Sequence, residues 1–390
     1  MRARSRAGFT LIELMVAMAL ALFIMVILSQ AFVLALDAFS GMKGIGDMQQ
    51  DLRTAQVMLR DDLRQDHLTG KRRPSDQTTL GGSQITAQLP EAGFVALRRT
   101  TPLLNTAGAP YFNEGFDASG LPSYRATDHM LYMTVKRKGN RQESFFGTSL
   151  VDNSVPSTSP SPLLNAFFSK QTAYNLNPLS ALPTATLTTA YPPLPGQPQN
   201  QAFYSSQWAE VVYYLIRTGS TEEPNNPASI LGTPTYSLYR AQFVMVPDAT
   251  NVNAANITAA GITTFAGMSC NPGGANLTFF SPADAALGNR VILDLAAFNT
   301  ADPRILSAAT LVLPNVISFE MQVMQLADPA NNILADTNFS PGNLPNVIYD
   351  TTKFGVAGYP NRGLKAIQIT LRVWENRTRQ TRQATIVQDL

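Results

Sequence analysis

The chain has 390 residues, a formal net charge of +2 and 14% charged residues, below the ~25% usual in soluble domains. So balanced a charge excludes bulk electrostatic attraction to nucleic acid or to an acidic partner. A single cysteine, Cys270, excludes an intrachain disulfide, and with two histidines the inventory for metal or nucleophile chemistry is thin. The length suffices for one large or two modest domains with a real core, and plentiful Asn, Thr, Ser and Pro favour strands and loops.

The first element is basic and then apolar. Arg2, Arg4 and Arg6 precede Gly8, and Phe9 to Leu36 carries one carboxylate, Glu13. As a helix this run is roughly 42 Å long, enough for a hydrocarbon core about 30 Å thick. In lipid a single spanning segment must be helical, because its backbone groups have no other partners. Arginines before the run, and few Lys or Arg just after it, put the N-terminus inside and the remaining chain outside the cytoplasm. An ordinary secretory signal has an h-region of only about 7–15 residues. A plain anchor leaves Glu13 unexplained, since a lone carboxylate in a span costs about 2.5–3.5 kcal/mol on insertion scales. If the chain is cut after Gly8, Phe9 gains a charged α-amino group four residues before Glu13, able to pair with it in the same or a neighbouring copy.

The basic leader, Gly8, Phe9, Thr10, Leu11, Ile12, Glu13 and the long apolar helix closely resemble the class III signal of type IV prepilins and type II secretion pseudopilins. The resemblance implies that a membrane aspartyl peptidase cleaves after Gly8 and methylates Phe9, and that Glu13 docks the subunit into a filament. The fold expected is α+β and pilin-like: a long N-terminal membrane-spanning helix packed on an antiparallel β-sheet ectodomain with long loop insertions. The expected divisions are a leader at 1–8, a transmembrane helix at 9–36, its amphipathic continuation at 37–67 and an extracytoplasmic β-rich domain at 68–390.

Gly41, Gly44 and Gly46 weaken the helix, each by about 1 kcal/mol relative to Ala, and read as either a hinge or a break between two helices. Gln30 stands where major pilins commonly have a kinking proline, so that kink is not expected. From Asp47 to Asp66 a stripe of Met48, Leu52, Ala55, Leu59 and Leu63 recurs at helical spacing and should pack on the sheet. Asp62, Asp66 and His67 fall within one turn. A solvated helix end with a satisfied histidine is a better reading than a metal site. The helix should stop by Gly70, ahead of Pro74.

The period then changes. His129–Lys138, Trp208–Arg217, Tyr236–Val246, Arg290–Leu295 and Val316–Met324 read as strands, the last with Ile317, Phe319, Met321 and Val323 on one face. Ile367, Ile369, Leu371 and Val373 alternate with polar residues, and Leu364–Val387 reads as a β-hairpin. Two insertions interrupt the pattern. One spans 152–207 and is rich in Pro, Ser, Thr and Asn, a composition that buries little. The other spans 247–281 and holds Cys270, read as a small buried or loop hydrophobe.

The succession WAEVVYYLIR, YSLYRAQF, LPNVISFEMQV and GLKAIQITLRV resembles the J-type minor pseudopilins of type II secretion, and a W-type minor pilin of a type IV pilus would show much the same pattern. The resemblance implies association with I- and K-type minor pseudopilins and the major subunit, at the tip of a short inner-membrane filament with a periplasmic globular domain, in support of protein export.

There is no Gly-x-Ser-x-Gly elbow, no phosphate loop and no zinc spacing. Asp328, Asn331, Asn332, Asp336 and Asn338 offer oxygen ligands, but not calcium-loop spacing, and read as a polar turn. Arg372, Arg377, Arg379 and Arg382 read as edge-strand charges rather than a DNA stripe. No catalytic residue, cofactor or metal is expected, and neither is a nucleic-acid partner. Alternatives are a pilus subunit for assembly, adhesion or DNA uptake, and a membrane-tethered enzyme or binding protein.

Overall fold

The computed structural model describes residues 11–68, 73–75, 78–80, 84–86, 91–98, 112–116, 122–139, 141–159, 161–169, 200–253, 265, 267–273, 276–292, 303–328, 333–340, 347–354, 359 and 362–390. Gly8 and Phe9 lie outside them, as do Asn331 and Asn332.

One helix, α1, runs from Leu11 to Arg64, 54 residues or roughly 80 Å. It passes unbroken through Gly41, Gly44 and Gly46, so of the two readings of these glycines the break between two helices is absent and the helix continues as one. Tertiary contact explains one of the glycines. A Cβ at Gly44 would lie 2.9 Å from Glu375 Oε1, whereas one at Gly41 would make an ordinary contact 3.5 Å from Thr378 Cγ2. The small residue at Gly44 lets the helix approach the turn at Glu375–Thr378, and that contact offsets its poor helix propensity.

The main sheet has eight strands: β1 Val95–Arg98, β2 Met130–Lys136, β3 Trp208–Ser220, β4 Pro234–Val244, β5 Ala309–Gln325, β6 Val347–Asp350, β7 Leu364–Glu375 and β8 Gln380–Asp389. Their spatial order is β6-β1-β2-β3-β4-β5-β7-β8, with every neighbouring pair antiparallel. The expected strands and the C-terminal hairpin are therefore present, with one exception. Arg290–Ile292 is irregular, because Arg290 and the Val291 N–H are drawn to buried carboxylates; the rest of that segment lies outside the described residues.

One face of the sheet carries Leu131, Met133, Val211, Tyr213, Leu238, Phe319, Met321, Ile367, Ile369 and Leu371, and the α1 stripe Met48, Leu52, Ala55, Leu59 and Leu63 joins them in one core. Ile317 is separated from this face by an irregularity between Val316 and Ser318, next to Asn315 at φ 53°. A bulge of this kind re-aims side chains. The other face divides. Over β1–β4 it is a second core of Phe94, Tyr132, Trp208, Val212, Tyr214 and Phe243 beneath Val291, Ile292 and Ile305. Over β5 and β7 it is half-buried and polar, with Glu320, Gln322, Gln368, Thr370 and Arg372.

The two insertions meet. Phe167, on a helix at Pro162–Ser169, packs its ring 5.3 Å from Tyr204 and 5.2 Å from Phe279. Leu164, Phe167, Tyr204, Cys270 and Phe279 are all buried. The expectation that 152–207 buries little thus fails for its described ends. A polar average concealed a few aromatic residues at the borders, and those form a side lobe on the strand pair Phe146–Val151 and Gln201–Ser206.

Candidate functional site

Among the described residues, the leading half of α1 joins no intramolecular core. Its 18-residue apolar window is 0% buried, and Leu11 and Phe23 are 76% and 66% exposed. Apolar surface on this scale is unfavourable in water, and demands lipid or another protein as a partner. The helix is long and apolar enough to cross a bilayer. Glu13 lies on this helix, near the start of its described residues.

The trailing half is seated on the sheet by its apolar stripe and by one buried ion pair. Asp62 accepts from Arg240 through Nε to Oδ2 at 2.7 Å and Nη2 to Oδ1 at 3.1 Å, and from the Tyr213 hydroxyl at 2.6 Å. Burial, reinforced by the Asp62 charge, pushes the Tyr213 hydroxyl well above the ordinary phenol range. Asp66 instead pairs with exposed Lys138 at 2.9 Å, and its carbonyl accepts from Lys136 N. His67 sits with Nδ1 2.8 Å from Thr134 O and Nε2 3.2 Å from Leu63 O, and burial pulls its pKa down against those two carbonyls.

Asp62, Asp66 and His67 therefore serve three different partners. Asp62 and His67 are 4% and 3% exposed, which corrects the expected solvated helix end, while the expected satisfied histidine is found in the two carbonyl partners of His67. Helical period shows which residues share a turn, but not which strand will cover them.

In the polar loop considered for calcium, Asp336 accepts from Arg362 Nη2 at 2.8 Å and from Gln325 N at 3.0 Å. The four basic residues near the C-terminus lie at the turn end of the β7–β8 hairpin. Arg372 donates to Gln383 across the β7–β8 pair, Arg379 lies 3.8 Å from Glu222, and β8 is an edge strand.

Sequence reasoning missed a second buried polar centre. Glu210 on β3 accepts from Tyr132 and Ser269 hydroxyls and from Val291 N. Beside it, Arg290 stacks 4.9 Å from the Phe94 ring and pairs with Asp350 at 3.3 Å, and Asp350 also meets Arg98. Burial raises the Glu210 pKa against these donors. Both carboxylate oxygens are enclosed and already bonded, so the centre ties the insertions and β6 to the sheet. The one sequence signal was a glutamate inside the otherwise apolar run WAEVVYYLIR.

An apolar helix projecting from a large antiparallel sheet domain defines a helix-anchored α+β protein. The prokaryotic N-terminal methylation motif matches residues 3–29, and this indicates a type IV pilin-like or pseudopilin protein, processed by a prepilin peptidase and assembled with other pilin-like subunits. No curated protein and no solved structure matches the chain.

Proposed function

We propose that the protein is a minor pseudopilin: a non-enzymatic structural subunit at the tip of a type II secretion pseudopilus, which helps initiate filament assembly and protein export. The precursor is inserted in the inner membrane with its N-terminus inside and its sheet domain in the periplasm. It is cut between Gly8 and Phe9, and Phe9 is methylated. The observation that carries this reading is the apolar half of α1, which has no cover among the described residues and carries Glu13. In a filament, neighbouring helices supply the cover. Glu13 supplies register, because a carboxylate out of water is tolerated only when it meets an opposite charge, here the α-amino group of an adjacent subunit.

The strand succession β3, β4, β5 and β7 supports a J-type subunit, whose partners would be I- and K-type minor pseudopilins and the major subunit. Glu13→Gln tests the reading. Leader cleavage, followed by gel mobility, should stay near wild type, while co-purification with sibling subunits should fall sharply. Normal assembly of the variant would remove the register role. Capture of a pilus subunit set, in place of secretion siblings, would move the protein to a minor pilin of a type IV pilus.

A further inference from the structure

We propose that β8 is a docking edge for an extended acidic segment of a different polypeptide, which adds one strand to the sheet and sets its carboxylates in the groove between β8 and α1. The two edges of the main sheet differ. β6 is four residues long, and Ile348, Tyr349 and Asp350 are buried, which closes that edge to a partner. β8 is ten residues long and pairs with β7 from Gln380 to Asp389 without a bulge. Among the described residues no strand lies beyond it, and Thr381, Gln383, Thr385 and Val387 are exposed. In an antiparallel ladder every second residue of an edge strand turns its N–H and C=O outward. With no proline in the strand, half of β8 offers both groups to an added chain.

The groove beside this edge selects the partner's chemistry. It measures about 600 Å³ and is lined by Gln49, Gln50, Arg53 and Gln56 of α1 and by Arg382 and Gln383 of β8. Among the described residues no acid lines it; Asp47 and Asp51 fall on the far side of a helix that turns about 100° per residue. Neither the Arg53 nor the Arg382 side chain has a hydrogen bond or ion pair among the described residues. Two guanidiniums without an acid attract carboxylates and hold them in a fixed fork geometry. The carboxamides around them supply both donors and acceptors. Outward backbone groups at strand spacing match another extended polypeptide. A nucleic acid would want a stacking surface, and no aromatic residue lines the groove among the described residues.

A second copy of this chain does not fit the edge, an exclusion that rests on α1 being a membrane helix. α1 and β8 run in the same direction. Gly44 lies against Glu375, before β8 begins, and Leu63 to His67 share a cleft with Gln388 to Leu390 at its end. A two-fold pairing of β8 with itself is antiparallel. It would point the two apolar helix halves in opposite directions, which anchorage in one bilayer forbids. Head-to-tail pairing of copies is closed by the burial of β6.

The test uses the full chain in detergent micelles with three fluorescent synthetic peptides of strand length. One alternates threonine and valine and carries two glutamates on one face. The second has lysines in place of the glutamates, and the third is the glutamate peptide N-methylated at alternate backbone nitrogens. Fluorescence anisotropy should show the glutamate peptide binding about tenfold tighter than either of the others, with hydrogen exchange slowed at 380–389. Arg53→Gln/Arg382→Gln should abolish the preference for glutamate over lysine and leave the thermal midpoint unchanged. Equal affinity for the lysine peptide overturns the acidic partner, and equal affinity for the N-methylated peptide overturns strand addition. Absence of binding, or slowed exchange elsewhere than 380–389, overturns both. Tighter binding of a single-stranded oligonucleotide than of the glutamate peptide also overturns the proposal. Slowed exchange at 380–389 when the full chain alone is concentrated in nanodiscs makes the edge a contact between copies. Failure of the chain to enter nanodiscs refutes the anchor instead, and leaves the peptide result to decide the edge.

Discussion

Replacing Asp62 by alanine is expected to cost about 3–5 kcal/mol of folding stability, the range for a buried ion pair that loses one partner. The carboxylate and the guanidinium are 5% and 12% exposed as side chains, so solvent screening does little to soften the loss. Three hydrogen bonds disappear, two from Arg240 and one from Tyr213. Hydrogen bonds to charged groups are worth about 1.5–3 kcal/mol each, yet the sum overstates the cost because Arg240 Nη1 keeps Gln242 Oε1 at 2.9 Å. What remains is a guanidinium held against an apolar helix without its counter-charge. Chemical unfolding of the full chain in micelles, followed through Trp208 and Trp374, measures the loss. The double variant Asp62→Leu/Arg240→Met should recover most of it, since an uncharged pair of similar volume is often neutral. A loss under about 1 kcal/mol, the value for exposed pairs, or a double variant as unstable as the sum of the singles, would refute the assignment of this pair as the lock on the helix end.

Gly46→Ala meets nothing within 4 Å and should stabilise α1 by up to about 1 kcal/mol. Gly44→Leu should destabilise, because Glu375 is pinned by the Thr378 amide and hydroxyl; thermal midpoints moving the same way in both variants would contradict the close-approach account. For Glu210 the pKa is raised in the folded state. Its contribution to stability is therefore full below the ordinary carboxylate value of about 4.3 and is lost as pH rises through the folded value. Glu210→Gln should flatten the decline of unfolding midpoint with rising pH above about 4.3, and parallel curves would dismiss the idea. Phe167→Ala should cost about 3–5 kcal/mol locally, read as faster hydrogen exchange at 201–206 and 276–279 with 367–373 unchanged; a uniform increase across the chain would mean the side lobe is not a separate unit.

Which parts were legible in the sequence follows from how local their signals are. The period-two alternation at Ile367–Val373 needs only its own residues and one buried face, and the structure reproduces it residue for residue. The stripe Met48–Leu63 is likewise a local pattern at helical spacing. The half-buried strand at Val316–Met324 was read correctly except at Ile317, where a bulge altered the register. Misreadings arose where a distant partner decides. Gly41, Gly44 and Gly46 left a hinge and a break equally open until the helix proved continuous, with the turn at Glu375–Thr378 set close against Gly44. Asp62 looked like a wet helix end until Arg240, 178 residues away, covered it. Glu210 looked like a stray charge in a strand until Ser269, Tyr132 and Val291 closed around it.

The sequence by itself determined the apolar N-terminal helix, the place of Glu13 in it, the match at residues 3–29 and the alternating strands, because each depends on residue types at fixed short spacing. Only the tertiary structure decided that the helix is one piece, which of its faces is covered, that two polar insertions share an aromatic core, and that β8 ends the sheet beside a groove along α1. Those features depend on contacts between residues tens to hundreds of positions apart, and no local period encodes such a meeting.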